Sequence, residues 1–365
     1  MNIKNISDSL EQLAPTSYQE GYDNAGLLTG NALIECTGVL CTLDATEDVI
    51  LEARQKGCNL VVAHHPIIFS GLKKLTGQTY VERAIIAAIK NDVAIYAIHT
   101  NLDNILSGVN GRIADKIGLQ NRKVLAPKQN TLMKLIVFVP VENAENLRNS
   151  LFIAGGGNIG GYSDCSFSSK GVGTFKPGEG TNPYRGEIGK RELTEEERIE
   201  VIFPGYLREK LLSAMFEAHP YEEVAYHLIP LANYYQEVGS GLVGELAEEM
   251  DEISFLAFLK KQFNLRVIKH TPFLERKVKS VALCGGSGSS LIKNALSAKA
   301  DFYITSDVKY HEFFDAENRI VIADIGHWES EQFTIDFLHD FLLSKFTTFA
   351  VLKSTVKTNP VNYFT

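Results

Sequence analysis

A short apolar run, Asn59 to Ala63, ends at His64-His65-Pro66 and is flanked by helical patterns on both sides; no other feature constrains the chain as strongly. Upstream, Gly38 to Leu43 reads as a strand ending in Asp44. Thr46 then caps a helix with Glu47 and Asp48 in its first turn, where the helix dipole favours them, and Gly57 stops it. Downstream comes a loop with Gly71, a helix near Tyr80 to Asn91 and a third strand, Val93 to Ile98. That strand leads into His99-Thr100-Asn101-Leu102-Asp103-Asn104 and a helix near Val109 to Ile117. Strands alternating with helices of about a dozen residues predict a parallel sheet built from βαβ crossovers.

Near Pro127 the character changes. Leu132 to Val139 reads as a strand, Asn143 to Ile153 as a helix, and a strand around Cys165 to Ser169 follows the glycine-rich stretch 155–161. A polar loop, Gly171 to Gly189, precedes a strand Glu197 to Phe203, a helix Leu207 to Ala218 and a strand Val224 to Ile229. The order β-α-β, β-α-β is that of a ferredoxin-like module. From about Val243 the first pattern resumes. A helix Ser254 to Phe263 is followed by strands Val278 to Leu283, Asp301 to Thr305 and Arg319 to Ala323, and a helix runs from about Glu329 to Lys345. The expectation is an α/β fold: a discontinuous domain of residues 1–127 and 233–365, with central sheets flanked by helices, interrupted by a ferredoxin-like α+β insert of residues 128–232.

The chemistry gathers at strand ends, where open α/β sheets bind ligands. Neighbouring side chains on extended backbone point to opposite sides, so a single ion rarely takes both His64 and His65. Two ions roughly 3.5–4 Å apart can take one each. His327 and Glu331 stand four apart at a helix start and so share one face. Asp103, following the third strand, adds a second carboxylate. His64, His65, Asp103, His327 and Glu331 thus offer three imidazoles and two carboxylates for two divalent ions. So few ligands leave positions open for substrate, and the donor set suits Zn, Mn, Fe or Ni-type ions. Any one of these histidines alone is accounted for by a structural hydrogen bond; the metal reading rests on their combination. His99 and His311 are outer or cavity-lining candidates, and Asp44 and Asp307 serve either the site or a helix cap. Cys284 to Ser290, between a strand and a helix, can hold a phosphate but matches neither GxGxxG nor GxxxxGK[ST], and a tight turn is the simpler reading. His219-Pro220-Tyr221-Glu222-Glu223 reads as a helix-ending turn.

Composition excludes several classes. A formal charge of -8 on 365 residues argues against general nucleic-acid or membrane-surface binding. The five cysteines (36, 41, 58, 165 and 284) form no CxxC pair and fit buried free thiols in a reducing compartment. The first residues make an amphipathic helix (Ile3, Ile6, Leu10, Leu13) and not a signal peptide, and no run approaches about 18 apolar residues. A cytoplasmic protein without membrane partners is expected.

The motifs EGYDNAGLLTG, LDAT, AHHPIIF, HTNLDN and GHWESE resemble, in order and spacing, those of the GTP cyclohydrolase type 2 homologue family, also called the NGG-interacting factor three-like proteins. The stretches GGGNIGGYSDCSF, GVGTFKP and HPYEEVAYH resemble its longer bacterial branch, in which a PII/CutA-like domain interrupts the metal-binding domain. The likeness implies a dinuclear site of the same five residues and a toroidal homohexamer with its metal sites facing an internal cavity. Tyr22 stands where many members have tryptophan, and Ser306 where many have glycine. The function expected is metal-dependent hydrolysis of a nucleotide or related phosphate-containing small molecule. The alternative is a non-enzymatic hexamer that stores or delivers metal, or regulates a partner through its PII-like module.

Overall fold

The computed structural model describes residues 1–364, which divide into two compact units: residues 1–127 with 237–364, and residues 128–236. The first unit holds two sheets. One has the order β1-β4-β3-β2-β15, from β1 (Gly26–Thr29), β2 (Val39–Asp44), β3 (Leu60–His65), β4 (Ala94–Ala97) and β15 (Val351–Lys353). Its β15, β2, β3 and β4 run parallel, and β1 adds an antiparallel edge. The other has the order β11-β14-β13-β12-β10-β5. Its strands are β5 (Gln120–Gln129), β10 (Tyr234–Asp251), β11 (Lys269–His270), β12 (Lys277–Ser287), β13 (Phe302–Ser306) and β14 (Val321–Asp324). There β12, β13 and β14 are parallel, flanked by antiparallel β10 and β11.

Parallel strands need cover on both faces, and this sequence supplies it. Leu40, Val61 and Ile95 point outward beneath the helices Glu47–Gln55 and Tyr80–Lys90. Val39, Val62 and Tyr96 point inward, into a core shared with Val281, Leu283, Phe302 and Val321 of the second sheet. The helices Ile3–Leu13, Val109–Ile117 and Thr334–Lys345 add Ile6, Leu10, Ile113 and Leu338 to that same core. Ile3, Ile6 and Leu10 are wholly buried, each contributing about 1.5–3 kcal/mol on transfer from water. The shared core sets the C-terminal ends of the two parallel strand sets against a single cavity.

The second unit is a four-stranded antiparallel sheet in the order β7-β8-β6-β9, from β6 (Leu132–Pro140), β7 (Phe167–Phe175), β8 (Glu192–Pro204) and β9 (Tyr226–Leu231). The helices Ala144–Ile153 and Arg208–Ala218 pack Leu147, Leu151, Leu211 and Met215 against Leu135, Val137 and Val201 of the sheet.

Several boundaries differ from the sequence reading. The histidine pair belongs to β3 itself and does not stand beyond it. The first part of the polar loop is strand, since β7 reaches Phe175, and β8 starts earlier than expected, at Glu192. β5 and most of β10 were not foreseen. Their sequences carry Pro127, Gly239, Gly241 and Gly244 among charged residues, and tertiary pairing overrides that weak local signal. The predicted 329–345 helix is two, His327–Glu331 and Thr334–Lys345. Instead of turning at Cys284, β12 continues to Ser287. Among the described residues no helix is long and apolar enough to cross a membrane.

Candidate metal centre

His64 and His65 extend from the end of β3, and Asp103 closes the one-turn helix Thr100–Asp103, not a strand. His327 and Glu331 lie on one face of the five-residue helix after β14. The structure brings all five side chains together. The glutamate is the hub: it is 3 % exposed, and its two carboxylate oxygens face different partners. Oε2 lies 2.9 Å from His65 Nε2 and 3.2 Å from His327 Nε2, while Oε1 lies 3.8 Å from His64 Nε2. Asp103 Oδ1 is 3.6 Å from the same His64 nitrogen.

Each imidazole is oriented from behind. His64 Nδ1–H donates to the Ile98 carbonyl at 2.8 Å, which leaves Nε2 as a lone-pair donor toward Asp103 and Glu331. His65 Nδ1–H donates to Asp44 at 2.8 Å, and His327 Nδ1–H donates to Asp307 at 2.6 Å. Asp44 and Asp307, whose roles the sequence left open between site and helix cap, therefore hold the histidines; the cap of the following helix is Thr46, which accepts from the Val49 amide. A carboxylate behind an imidazole fixes its tautomer and raises its basicity, the usual arrangement behind metal-ligating histidines.

The charges follow from these contacts. Burial drives His64 down, toward its neutral form. Burial also opposes charge on His65 and His327, but the hydrogen bonds to Asp44, Asp307 and Glu331 win and push them up to about 10 and about 11. Despite burial, those histidines hold Glu331 well below the carboxylate range. Burial and the adjacent Glu331 charge raise Asp103 well above it. Within this cluster two buried atoms are left with no hydrogen-bond partner, His64 Nε2 and Asp103 Oδ1. Both face the same gap. Such orphans are costly in a finished protein interior unless something fills the space between them.

Three groups of donor atoms lie within 4.8 Å of one another and could hold a metal ion: His64 with Asp103 and Glu331; His65 with His327 and Glu331; and His64 with His65 and His99. Of the outer candidates, His99 is therefore at the site. Its Nδ1 is tied to Asp23 at 2.8 Å. Asp23, which also accepts from the Thr100 amide and hydroxyl, is lowered to about 2; burial opposes this, but the His99 and Thr100 contacts outweigh it. His311 is elsewhere, exposed between Tyr310 and Phe314.

Sequence reasoning missed the backbone cradle. At Gly286, where φ is +62°, a Cβ would lie 2.3 Å from Glu331 Oε1. The amides of Gly285 and Gly286 donate to Asn110 Oδ1 and Ser330 Oγ at 2.9 and 3.0 Å, so they are not free to hold a phosphate. Spacing held no signal for this, because the two segments are some forty residues apart. The centre opens on a cavity of about 1040 Å³, lined among others by Tyr22, Phe69, Lys269, Ser287 and Ser290. Its wall includes Asn359 and Tyr363 of the C-terminal tail, and the nearby Thr358 hydroxyl donates to Asp44.

Two α/β sheets sharing one core, with an imidazole–carboxylate cluster at their strand ends that could hold metal, define the class of protein. The chain belongs to the family described as Duf34/NIF3 (NGG1p interacting factor 3), whose profile matches residues 1–360. It is 41% identical over 367 residues to a protein of Halalkalibacterium halodurans named "GTP cyclohydrolase 1 type 2 homolog", covering 99% of each chain. A Bacillus subtilis protein of the same name is 39% identical over 330 residues, covering 90% of this chain and 88% of that one. Among solved structures, a Bacillus cereus protein described as related to NIF3 superposes with a TM-score of 0.87 at 39% identity, covering 100% of this chain and 99% of that one.

Proposed function

We propose that the cluster is a dinuclear metal centre and that the protein is a metal-dependent hydrolase of a nucleotide or related phosphate-containing small molecule. The observation that carries this is the division of donors about Glu331. One carboxylate oxygen serves the His64–Asp103 side, whose facing atoms are buried and unpartnered, and the other serves His65 and His327. His64, Asp103 and Glu331 would hold one ion and His65, His327 and Glu331 the other. Bound there, divalent ions supply Lewis acidity and make a water acidic enough to act as a nucleophile near neutral pH. The chain's own residues do the rest. Asp44, Asp307 and the Ile98 carbonyl keep each Nε2 aimed inward, while Tyr22 and Phe69, with rings 6.0 Å apart, offer an apolar wall to a substrate. The names of the relatives support the nucleotide class.

The test is elemental analysis of the purified chain beside a screen of nucleotide hydrolysis. About two ions per chain are expected, reduced in His64→Ala, with turnover abolished in Glu331→Gln at unchanged circular dichroism. Only trace metal after reconstitution, or full turnover in Glu331→Gln, overturns the reading.

We also read the second unit as a ferredoxin-type insert, which its β-α-β-β-α-β order and the pairing β7-β8-β6-β9 support. The assembly the family resemblance favours is a homohexamer; light scattering that finds a monomer of 40.4 kDa would rule it out.

A further inference from the structure

The second unit contains a cavity of its own, about 460 Å³, within the size range of small-molecule sites. One side is sheet and the segment after Ala218. The other is the connection 176–191 between β7 and β8, sixteen residues with no regular element. Connections of that length inside a compact unit are uncommon and are usually either functional or disordered linkers. This one is tied down at two points and closed on itself at a third: the Asn182 amide donates to the Glu222 carboxylate at 3.0 Å, Arg185 pairs with Glu142, and the Gly189 amide donates to the Pro177 carbonyl at 2.9 Å.

Tyr221 is at the centre of the lining. Its ring lies 5.8 Å from that of Phe175 at 57°, and 6.2 Å from that of Tyr184 at 51°. Stacking on a flat base requires near-parallel faces. Rings tilted by half a right angle or more enclose a rounded volume instead, which suits a compact group. The charges name its sign. Glu196, Glu222 and Glu223 line the cavity with one lysine, Lys176; Arg185, 5.8 Å from the Tyr184 ring, is paired with Glu142, so the balance at the cavity stays negative. The Tyr221 hydroxyl donates to Glu196 Oε1 at 2.9 Å and so holds that carboxylate at the cavity. Gly173 makes room for it, since a Cβ there would lie 2.1 Å from Glu196 Oε2. Aromatic faces plus carboxylates are the chemistry that recognises alkylated ammonium groups.

We infer that this cavity binds a small organic cation of the alkylammonium class, caged by Phe175, Tyr184 and Tyr221 and neutralised by Glu196. The site is separate from the metal centre, and its test does not depend on metal or turnover. The full-length protein is titrated calorimetrically with choline and with its uncharged isostere, in which carbon replaces the ammonium nitrogen. Choline is expected to bind at least about tenfold more tightly than the isostere. Tyr184 is half exposed, so its replacement spares the fold. Tyr184→Leu is expected to lower choline affinity about tenfold, and Tyr184→Phe, which keeps the ring face, to stay within about twofold. Equal binding of the two probes would make this an apolar pocket and overturn the inference. So would no binding of choline at about 10 mM, or a Tyr184→Leu variant that binds as well as the parent.

Discussion

Gly286→Ala separates a fold requirement from a site requirement. The residue adopts φ +62°, a left-handed conformation that costs an alanine about 1–2 kcal/mol. That term alone should lower the melting temperature by a few degrees in a unit of this size. The second term is local. The new Cβ would lie 2.3 Å from Glu331 Oε1, and real contacts of this kind stop near 3.0 Å, so the carboxylate must retreat by roughly 0.7 Å. Metal–ligand distances in a sound site fall within about 0.2 Å of their standard values. His64, His65 and His327 surround that carboxylate, so it has little room to retreat without disturbing them. Metal affinity should therefore fall by about 100-fold, the upper range for losing a supporting group. Gly57→Ala is the control. Its φ is +73°, nothing lies within 4 Å of the new Cβ, and it should show the melting loss with normal metal binding. The assay is competitive titration with a chromophoric chelator beside thermal melts of both variants. If Gly286→Ala binds metal like the parent, or if Gly57→Ala loses metal equally, the close approach to Glu331 is irrelevant and the reasoning fails.

Two further predictions concern protons. Without metal, His65 and His327 hold their protons up to about pH 10 and 11 because Asp44, Asp307 and Glu331 favour the charged rings. Ions binding at Nε2 must displace those protons, so at least about two should be released per chain near pH 7, more where Asp103 also gives one up, and apparent affinity should rise with pH; calorimetry in buffers of different ionisation enthalpy that finds no release would refute this. Away from the site, Glu52 accepts from Lys56, the Ser354 hydroxyl, and the Thr355 amide and hydroxyl, fastening the C-terminal segment to the helix Glu47–Gln55. Burial works against its charge, but these bonds hold the carboxyl down at about 2. A depressed acid stabilises the fold above its unfolded value near 4.5, and that stability is lost as pH falls toward 2. Glu52→Gln should cost about 2 kcal/mol at neutral pH and flatten the acid limb of urea unfolding; an unchanged slope between pH 4.5 and 2.5 would count against it.

The chain's alternation of elements was legible because parallel strands buried on both faces read as nearly continuous apolar runs, as Leu60 to Ala63 does and Leu40 to Leu43 does but for Thr42. Donor residues were legible where short-range geometry ties them together, as in the adjacent pair of β3 and the four-residue spacing of His327 and Glu331. The rest depends on long-range register. The pairing of β10 with β12 runs from Leu242 opposite Leu283 to Asp251 opposite Lys277, across an intervening helix, and local propensity for a glycine-punctuated segment gives no hint of it. Asp44 and Asp307 stayed open between site and helix cap because a carboxylate after a strand serves either purpose; only the histidine facing it decides. Asp23 lay within a recognisable turn-rich segment, yet its hold on His99 spans 76 residues.

These observations bear on why the centre needs both halves of a discontinuous unit. His64, His65 and Asp103 come from the first passage of the chain, His327 and Glu331 from the second, and Glu331 touches donors from both. A site built on one sheet would orient its ligands through local turns alone. Here the shared core of Val62, Tyr96, Leu283, Phe302 and Val321 fixes the distance between the two strand ends, so ligand geometry depends on packing density across the whole unit. The supporting bonds are divided in the same way: Asp44 and the Ile98 carbonyl hold the first-sheet histidines, and Asp307 holds His327 from the second. Each sheet orients its own imidazoles, and Glu331 is where the two sets meet. The orienting bonds are all made by residues of the first unit, so the site's donors are positioned from within it.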